Sequence, residues 1–168
     1  MEAETELVYN PHKYQQEIHE KLRRFSVLVC HRRFGKTFLA IATLIDAAIS
    51  TERENLRFAY VAPYQKQAKQ VAWDYLKQFA LPIHGTVANE SETSITFLNG
   101  ARIRLYGSDN GQSMRGLFFD GIVCDEIADF RPETWPEIIR PALTDSYHKG
   151  WCLFIGTPKG LNQFYDLY

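Results

Sequence analysis

The hydrophobic positions of this chain come in short runs whose spacing alternates between helix and strand periods. Residues 11–24 (PHKYQQEIHEKLRR) place Ile18 and Leu22 on one face behind Pro11, predicting a short helix. Residues 25–30 (FSVLVC) are a continuous apolar run, predicting a strand covered on both faces. After a basic loop, residues 37–50 (TFLAIATLIDAAIS) are apolar nearly all round, the pattern of an interior helix. Residues 56–62 (LRFAYVA) predict a second strand, broken by Pro63, and residues 65–79 an amphipathic helix. Residues 94–98 and 101–106 flank Asn99-Gly100, a strong hairpin signal. Residues 107–116 read as a polar, glycine-bearing loop projecting from the sheet edge. Residues 121–124 predict a strand ending in Asp125-Glu126, and residues 135–140 a short helix in a proline-bearing stretch. Residues 151–155 predict a buried strand stopped by Gly156-Thr157-Pro158, before another helix that is a few residues long by Tyr168. Strands alternating with helices point to an α/β fold with a mainly parallel central sheet. The ligand site of such a sheet lies at the carboxyl ends of its strands.

Composition narrows this picture only a little. The chain has 168 residues, which predicts one domain with its own core. Its formal net charge of −1 draws it to neither nucleic acid nor membrane, so any DNA contact must come from a local patch or from other parts of a longer protein. Cys30, Cys124 and Cys152 lie within or at the end of apolar runs, without zinc spacing, and read as core thiols in a reducing compartment. The five histidines also lack metal-ligand spacing. No signal peptide heads the chain and no apolar stretch nears the roughly 20 residues of a bilayer span, so a cytosolic protein with no membrane partner is expected.

Candidate chemistry changes the picture more. Gly35-Lys36-Thr37 follows an apolar strand and opens an apolar helix, the order that a phosphate loop requires. N–H groups at that helix start face the phosphates of ATP, Lys36 reaches the β- and γ-phosphates, and the Thr37 hydroxyl ligates Mg²⁺. The full pattern wants a glycine where Cys30 stands; the loop is instead basic, with Arg32, Arg33 and Phe34 before Gly35. Arg32 and Arg33 read as phosphate-facing guanidinium groups or as a solvated basic turn. Downstream, Gly121-Ile122-Val123-Cys124 delivers Asp125 and Glu126 to a strand end. Asp125 is expected to hold Mg²⁺ through water, and Glu126 to act as general base on the water that attacks the γ-phosphate. A competing reading makes Asp120, Asp125, Glu126 and Asp129 a two-metal nuclease cluster, which leaves Lys36 without a purpose.

Three further motifs flank these two. Tyr14-Gln15 precedes the basic loop, Arg115-Gly116 precedes the acidic pair, and Gly156-Thr157-Pro158 follows the next strand. Together they resemble large terminase subunits, over nearly the whole chain from about Pro11 to Tyr168. A basic residue in the phosphate loop is usual there, which accounts for Cys30. The resemblance implies a RecA-like ATPase with an added strand and a catalytic glutamate, hydrolysing Mg-ATP to drive double-stranded viral DNA into a procapsid. It also implies a homo-oligomeric ring on the portal protein, a small terminase subunit as helper, and work in the host cytoplasm. A nucleotide-gripping lid and a nuclease domain are expected to lie outside this chain, and with them DNA cleavage.

By position, Gln15 resembles the residue that reads the adenine edge, with Tyr14 stacking nearby, although Gln16 is an alternative. Arg33 resembles a phosphate-loop arginine acting within its own subunit, and Arg115 one offered to the neighbouring subunit. Thr157 resembles the coupling residue that links hydrolysis to movement, or is part of a strand-stopping turn. Locally, Arg115 can pair with Asp109 or Asp120 instead. The Arg102, Arg104 and Tyr106 stripe reads as a solvated strand face, with DNA contact as the alternative, and Lys66, Lys69 and Lys77 read likewise. Two other functions compete. One is a superfamily 2 helicase-like ATPase, suggested by Val61-Ala62-Pro63 and Gln67-Ala68; the other is an assembly module that binds ATP without hydrolysing it.

Overall fold

The computed structural model describes residues 10–31, 33–144, 149–157, 159–160 and 163–167. Arg32 and Pro158, both named above, lie outside the described residues. The chain enters through α1 (Lys13–Lys21), β1 (Phe25–Val29) and α2 (Lys36–Ile49), then β2 (Arg57–Ala62). Next, α3 (Gln65–Ala68) passes through a π turn (Lys69–Trp73) into α4 (Asp74–Ala80). Three strands follow, β3 (Val87–Asn89), β4 (Ser94–Thr96) and β5 (Arg102–Gly107), then 3₁₀ turns over Ser108–Met114. Beyond β6 (Gly121–Asp125) come a 3₁₀ turn (Ile127–Asp129), a π segment (Trp135–Ile139), α5 (Arg140–Ala142), β7 (Trp151–Gly156) and α6 (Gln163–Leu167).

Among the described residues the strands form one seven-stranded sheet in the order β1-β7-β6-β2-β5-β4-β3. From β1 to β5 the neighbours run parallel, whereas β4 and β3 turn back antiparallel. The two-residue period of the strands sorts their side chains into two layers. Phe58, Tyr60, Ile103, Leu105, Val123, Leu153 and Ile155 share one core with α2 and α4. Ala59, Val61, Ile122, Cys124, Cys152 and Phe154 face the other, under Met114, Phe130 and Ile139. Leu39, Ile41, Leu44 and Ile45 of α2 are fully buried, each contributing about 1.5–3 kcal/mol. That burial fixes α2, and the phosphate loop at its head, against the sheet.

Several expectations need correcting. The 25–30 run makes an edge strand rather than an enclosed one, since β1 pairs with β7 and leaves Phe25 and Val29 exposed. A continuous apolar run cannot distinguish enclosure from an edge whose faces are only partly covered, here by Trp135 against Phe25 and by Ile18 and Leu22 of α1. The 65–79 helix carries a π turn, which sequence periodicity averages over. The 107–116 segment does not project from an edge. It follows β5, which lies inside the sheet, and folds down so that Gly111 and Met114 are buried. The short strand β3, unforeseen, extends the hairpin of β4 and β5. All three cysteines are free and buried, as expected.

Candidate nucleotide site

The phosphate loop is closed at both ends. Gly35 caps α2 with φ 84°, a left-handed conformation natural to glycine. A Cβ at Gly35 would also lie 2.8 Å from the Gln15 side-chain nitrogen. The 14-residue helix α2 thus presents its unpaired first N–H groups directly after the loop, with its dipole favouring anions. Lys36 folds back so that Nζ donates to the Cys30 carbonyl at 3.3 Å. Arg33 is exposed, with φ 67°, strained for a residue with a side chain.

Helix α1 is clasped to this loop. The Gln15 side-chain oxygen accepts the His12 backbone N–H at 3.1 Å, and its nitrogen donates to the Gly35 carbonyl at 3.3 Å. His12 adds a ring contact to Phe34, edge to face with centroids 5.4 Å apart. The two glutamines are now distinct: Gln15 is buried with one bond at each end of its amide, whereas Gln16 is exposed. Tyr14 stands exposed on the wall of a cleft of about 530 Å³ that His12, His31, Arg33 and Phe34 also line. A side-chain amide has two N–H donors and two oxygen lone pairs, so Gln15 can meet a base while keeping both present partners. On that reading Gln15→Ala is expected to weaken nucleotide binding and narrow the preference for ATP over GTP, while Gln16→Ala leaves both unchanged. Competition binding with the two nucleotides checks this, and the reverse pattern would move the role to Gln16.

The carboxylates arrive on β6, separated from β1 by β7. Asp125 is buried and accepts a short hydrogen bond from the Tyr60 hydroxyl. Thr37 lies beside the same phenol, acting against its rise, so Thr37 neighbours the bonded pair of Tyr60 and Asp125. Burial pushes the Asp125 carboxyl up to about 6; the Tyr60 hydrogen bond pulls back, and the Glu126 charge adds to the push. The carboxylate is therefore ionised above about pH 6 and becomes protonated below it. Burial, and then the Asp125 charge, drive the Tyr60 phenol the same way, so it stays a donor.

Glu126 adopts φ 54° and ψ 47°, a left-handed conformation costing on the order of 1–3 kcal/mol for such a residue. The twist turns its side chain across the sheet end. Its Oε2 accepts from the Thr157 hydroxyl at 3.1 Å and from the Thr157 N–H at 3.4 Å. Lys36 Nζ lies 3.9 Å from Oε1, and Lys159 Nζ 3.9 Å from Oε2. The site thus unites Lys36, Thr37, Asp125, Glu126 and Thr157. The four-carboxylate nuclease cluster is not assembled. Asp120 sits at the opposite end of β6, bonded by Arg53 and by the Arg57 backbone N–H, while Asp129 pairs with Lys159.

Among the described residues no group of three or more His, Cys, Asp or Glu could hold a metal unaided. The oxygens of Thr37 and Asp125 do suit Mg²⁺, which commonly takes few carboxylates and completes its shell with phosphates and water. Arg115 stands apart from this centre, 3.5 Å from Glu137, not from Asp109 or Asp120. Tyr60, His12 and Lys159 escaped sequence reasoning. A tyrosine inside a buried apolar strand was a usable signal, since a buried phenol needs a partner.

The family model described as "Terminase large subunit, T4likevirus-type, N-terminal" matches residues 29–168. The large terminase subunit of Thermus virus P23-45 is 26% identical over 186 residues, covering 96% of this chain and 36% of that protein. The chain spans about a third of the length of the curated relatives it matches. The solved ATPase domain of the Thermus phage P74-26 large terminase superposes with a TM-score of 0.80 at 26% identity, over 95% of this chain and 70% of that one. The N-terminal domain of the bacteriophage phi29 DNA packaging ATPase, 17% identical with a TM-score of 0.64 over 96% of this chain and 87% of that one, shares the fold. The α/β sheet is RecA-like, and the chain belongs to the family of large terminase subunits, matching its N-terminal part.

Proposed function

We propose that this chain is an ATPase domain that hydrolyses Mg-ATP to drive double-stranded viral DNA into a procapsid. The observation that carries the reading is the convergence of Lys36 and Glu126, 3.9 Å apart, beside Thr37 and the bonded pair of Tyr60 and Asp125. The likeness to terminase ATPase domains supports the same conclusion.

In this mechanism the N–H groups opening α2 cradle the phosphates, and Lys36 leaves the Cys30 carbonyl to neutralise the β- and γ-phosphates. Arg33, Phe34 and Arg32 border the same phosphates, and Tyr14 and Gln15 receive the base. Thr37 and Asp125 would hold Mg²⁺, which neutralises charge building on the phosphates. Tyr60 aims the Asp125 carboxylate. Glu126 takes a proton from the attacking water and is kept in place by Thr157, which thereby feels the change when hydrolysis occurs. Arg115 serves a neighbouring subunit in a homo-oligomeric ring. The ring sits on a portal protein, works with a small terminase subunit, and acts in the host cytoplasm. Among the described residues no helix is long and apolar enough to cross a membrane.

Phosphate release, measured with and without duplex DNA, tests the reading. ATP turnover is expected, stimulated by duplex, and Lys36→Ala should lose nucleotide binding. Nucleotide binding without any release would leave the non-hydrolysing module. Unwinding of a forked duplex would favour the helicase-like reading.

A further inference from the structure

The open face of β5 gathers positive charge outside the nucleotide site. Arg102 and Arg104 share that face with Tyr106, and Arg57 of β2 stands directly beside Arg102. With Tyr106 and Phe118 these arginines line a cleft of about 450 Å³. A second cleft of about 560 Å³ adjoins it, shares Arg104 and Tyr106, and adds Lys66 and Lys69 together with Glu90 and Glu92.

The nearby carboxylates are already engaged. Glu92 pairs with Arg102, and Glu90 takes Lys77 at 3.0 Å and the Trp73 indole N–H at 2.7 Å. Among the described residues Arg57, Arg104, Lys66 and Lys69 have no carboxylate within ion-pairing distance. The Arg104 guanidinium is steered by the Tyr106 ring, 5.2 Å from its centroid, and its Nε is buried without an acceptor. Burial pulls the Arg102 guanidinium below its ordinary value, and Arg104 and Arg57 add to the pull. This ground is a cation track short of anions, and its arginines are set on strands rather than on mobile loops.

We propose that the track binds the phosphate backbone of duplex DNA. A single carboxylate from another subunit would fill one cleft, whereas a polymer presents successive phosphates to both. Guanidinium and ammonium groups position a backbone without reading bases, which suits a duplex of any sequence. The proposal rests on the packaging reading above and names where the substrate is held.

The test is fluorescence anisotropy of a labelled random-sequence duplex, titrated with the protein at several salt concentrations. Arg57→Gln with Arg104→Gln should bind roughly tenfold more weakly, with the salt slope reduced by about 2, and Lys66→Gln with Lys69→Gln should move both readouts the same way. DNA-free ATP turnover should stay at the parental rate in both. The two lysines are exposed, so their pair decides the matter if the arginine variant does not fold. Parental affinity and slope in the variants, with a parent that binds duplex, overturn the track and leave the packaging reading standing. A parent that neither binds duplex nor responds to it in turnover removes both. Loss of self-association at unchanged DNA affinity would give the track to a neighbouring copy and overturn the proposal.

Discussion

Glu126→Gln is expected to bind ATP with parental affinity and to release phosphate about 10²–10⁴-fold more slowly. The substitution keeps the length of the side chain and one oxygen for the Thr157 hydroxyl, so the strained backbone at this position keeps its anchor. What disappears is a group able to accept a proton from water. The charge facing Lys36 and Lys159 disappears with it, and that leaves Lys36 at least as free to meet phosphate. Binding and turnover therefore part company, which distinguishes this variant from Lys36→Ala. Single-turnover phosphate release and direct nucleotide binding, measured on the same sample, give both quantities. Hydrolysis at the parental rate would strip Glu126 of the general-base role.

Arg115→Ala is expected to leave ATP binding intact and to lower turnover by about 10³–10⁵-fold, the range for a guanidinium placed on the transferring phosphoryl group. Its partner here does not argue against that role. The ion pair with Glu137 spans 3.5 Å between side chains that are 50% and 59% exposed, and such pairs contribute about 0.2–1 kcal/mol. Leaving it costs little beside the effect expected in the transition state. Within its own subunit Arg115 has no contact with Glu126 or Lys36, so action on a neighbour fits the geometry. Turnover should then rise more than linearly with protein concentration. Mixed rings of Arg115→Ala and Glu126→Gln subunits should regain part of the activity, because one kind of interface carries both intact groups. An assembled mixed ring with no recovered turnover would reduce Arg115 to its surface ion pair.

The parts of the site legible in the sequence are those whose chemistry is local. Gly35-Lys36-Thr37 and Asp125-Glu126 stand at strand ends, where a change of hydrophobic period marks the position and the residue types mark the task. The groups that tie them together were not legible, because each contact is long-range. Tyr60 meets Asp125 from the neighbouring strand, and Thr157 reaches Glu126 from just beyond the end of β7. The fold shows the same division. The parallel core followed from short apolar runs, whereas the edge position of β1 depends on strand order, which no local pattern encodes. Likewise the 107–116 stretch looks like a free loop by composition, yet Met114 buries itself under the second layer.

Strand β7 has a consequence for which kinds of genetic change this site can absorb. The Ile155 carbonyl accepts the Glu126 N–H at 2.9 Å, and the Gly156 carbonyl accepts the Cys30 N–H at 3.1 Å. Two consecutive peptide groups thus latch the acidic pair and the root of the phosphate loop, and main-chain latches are indifferent to side-chain identity. Replacing Leu153 or Ile155 by another apolar residue of similar size changes packing but keeps both latches. Deleting one residue from the strand does the opposite. It exchanges the two faces of β7, turning Cys152 and Phe154 toward the wrong layer, and offers the latches to the wrong partners. This strand should therefore exchange apolar residues of similar size while holding its length.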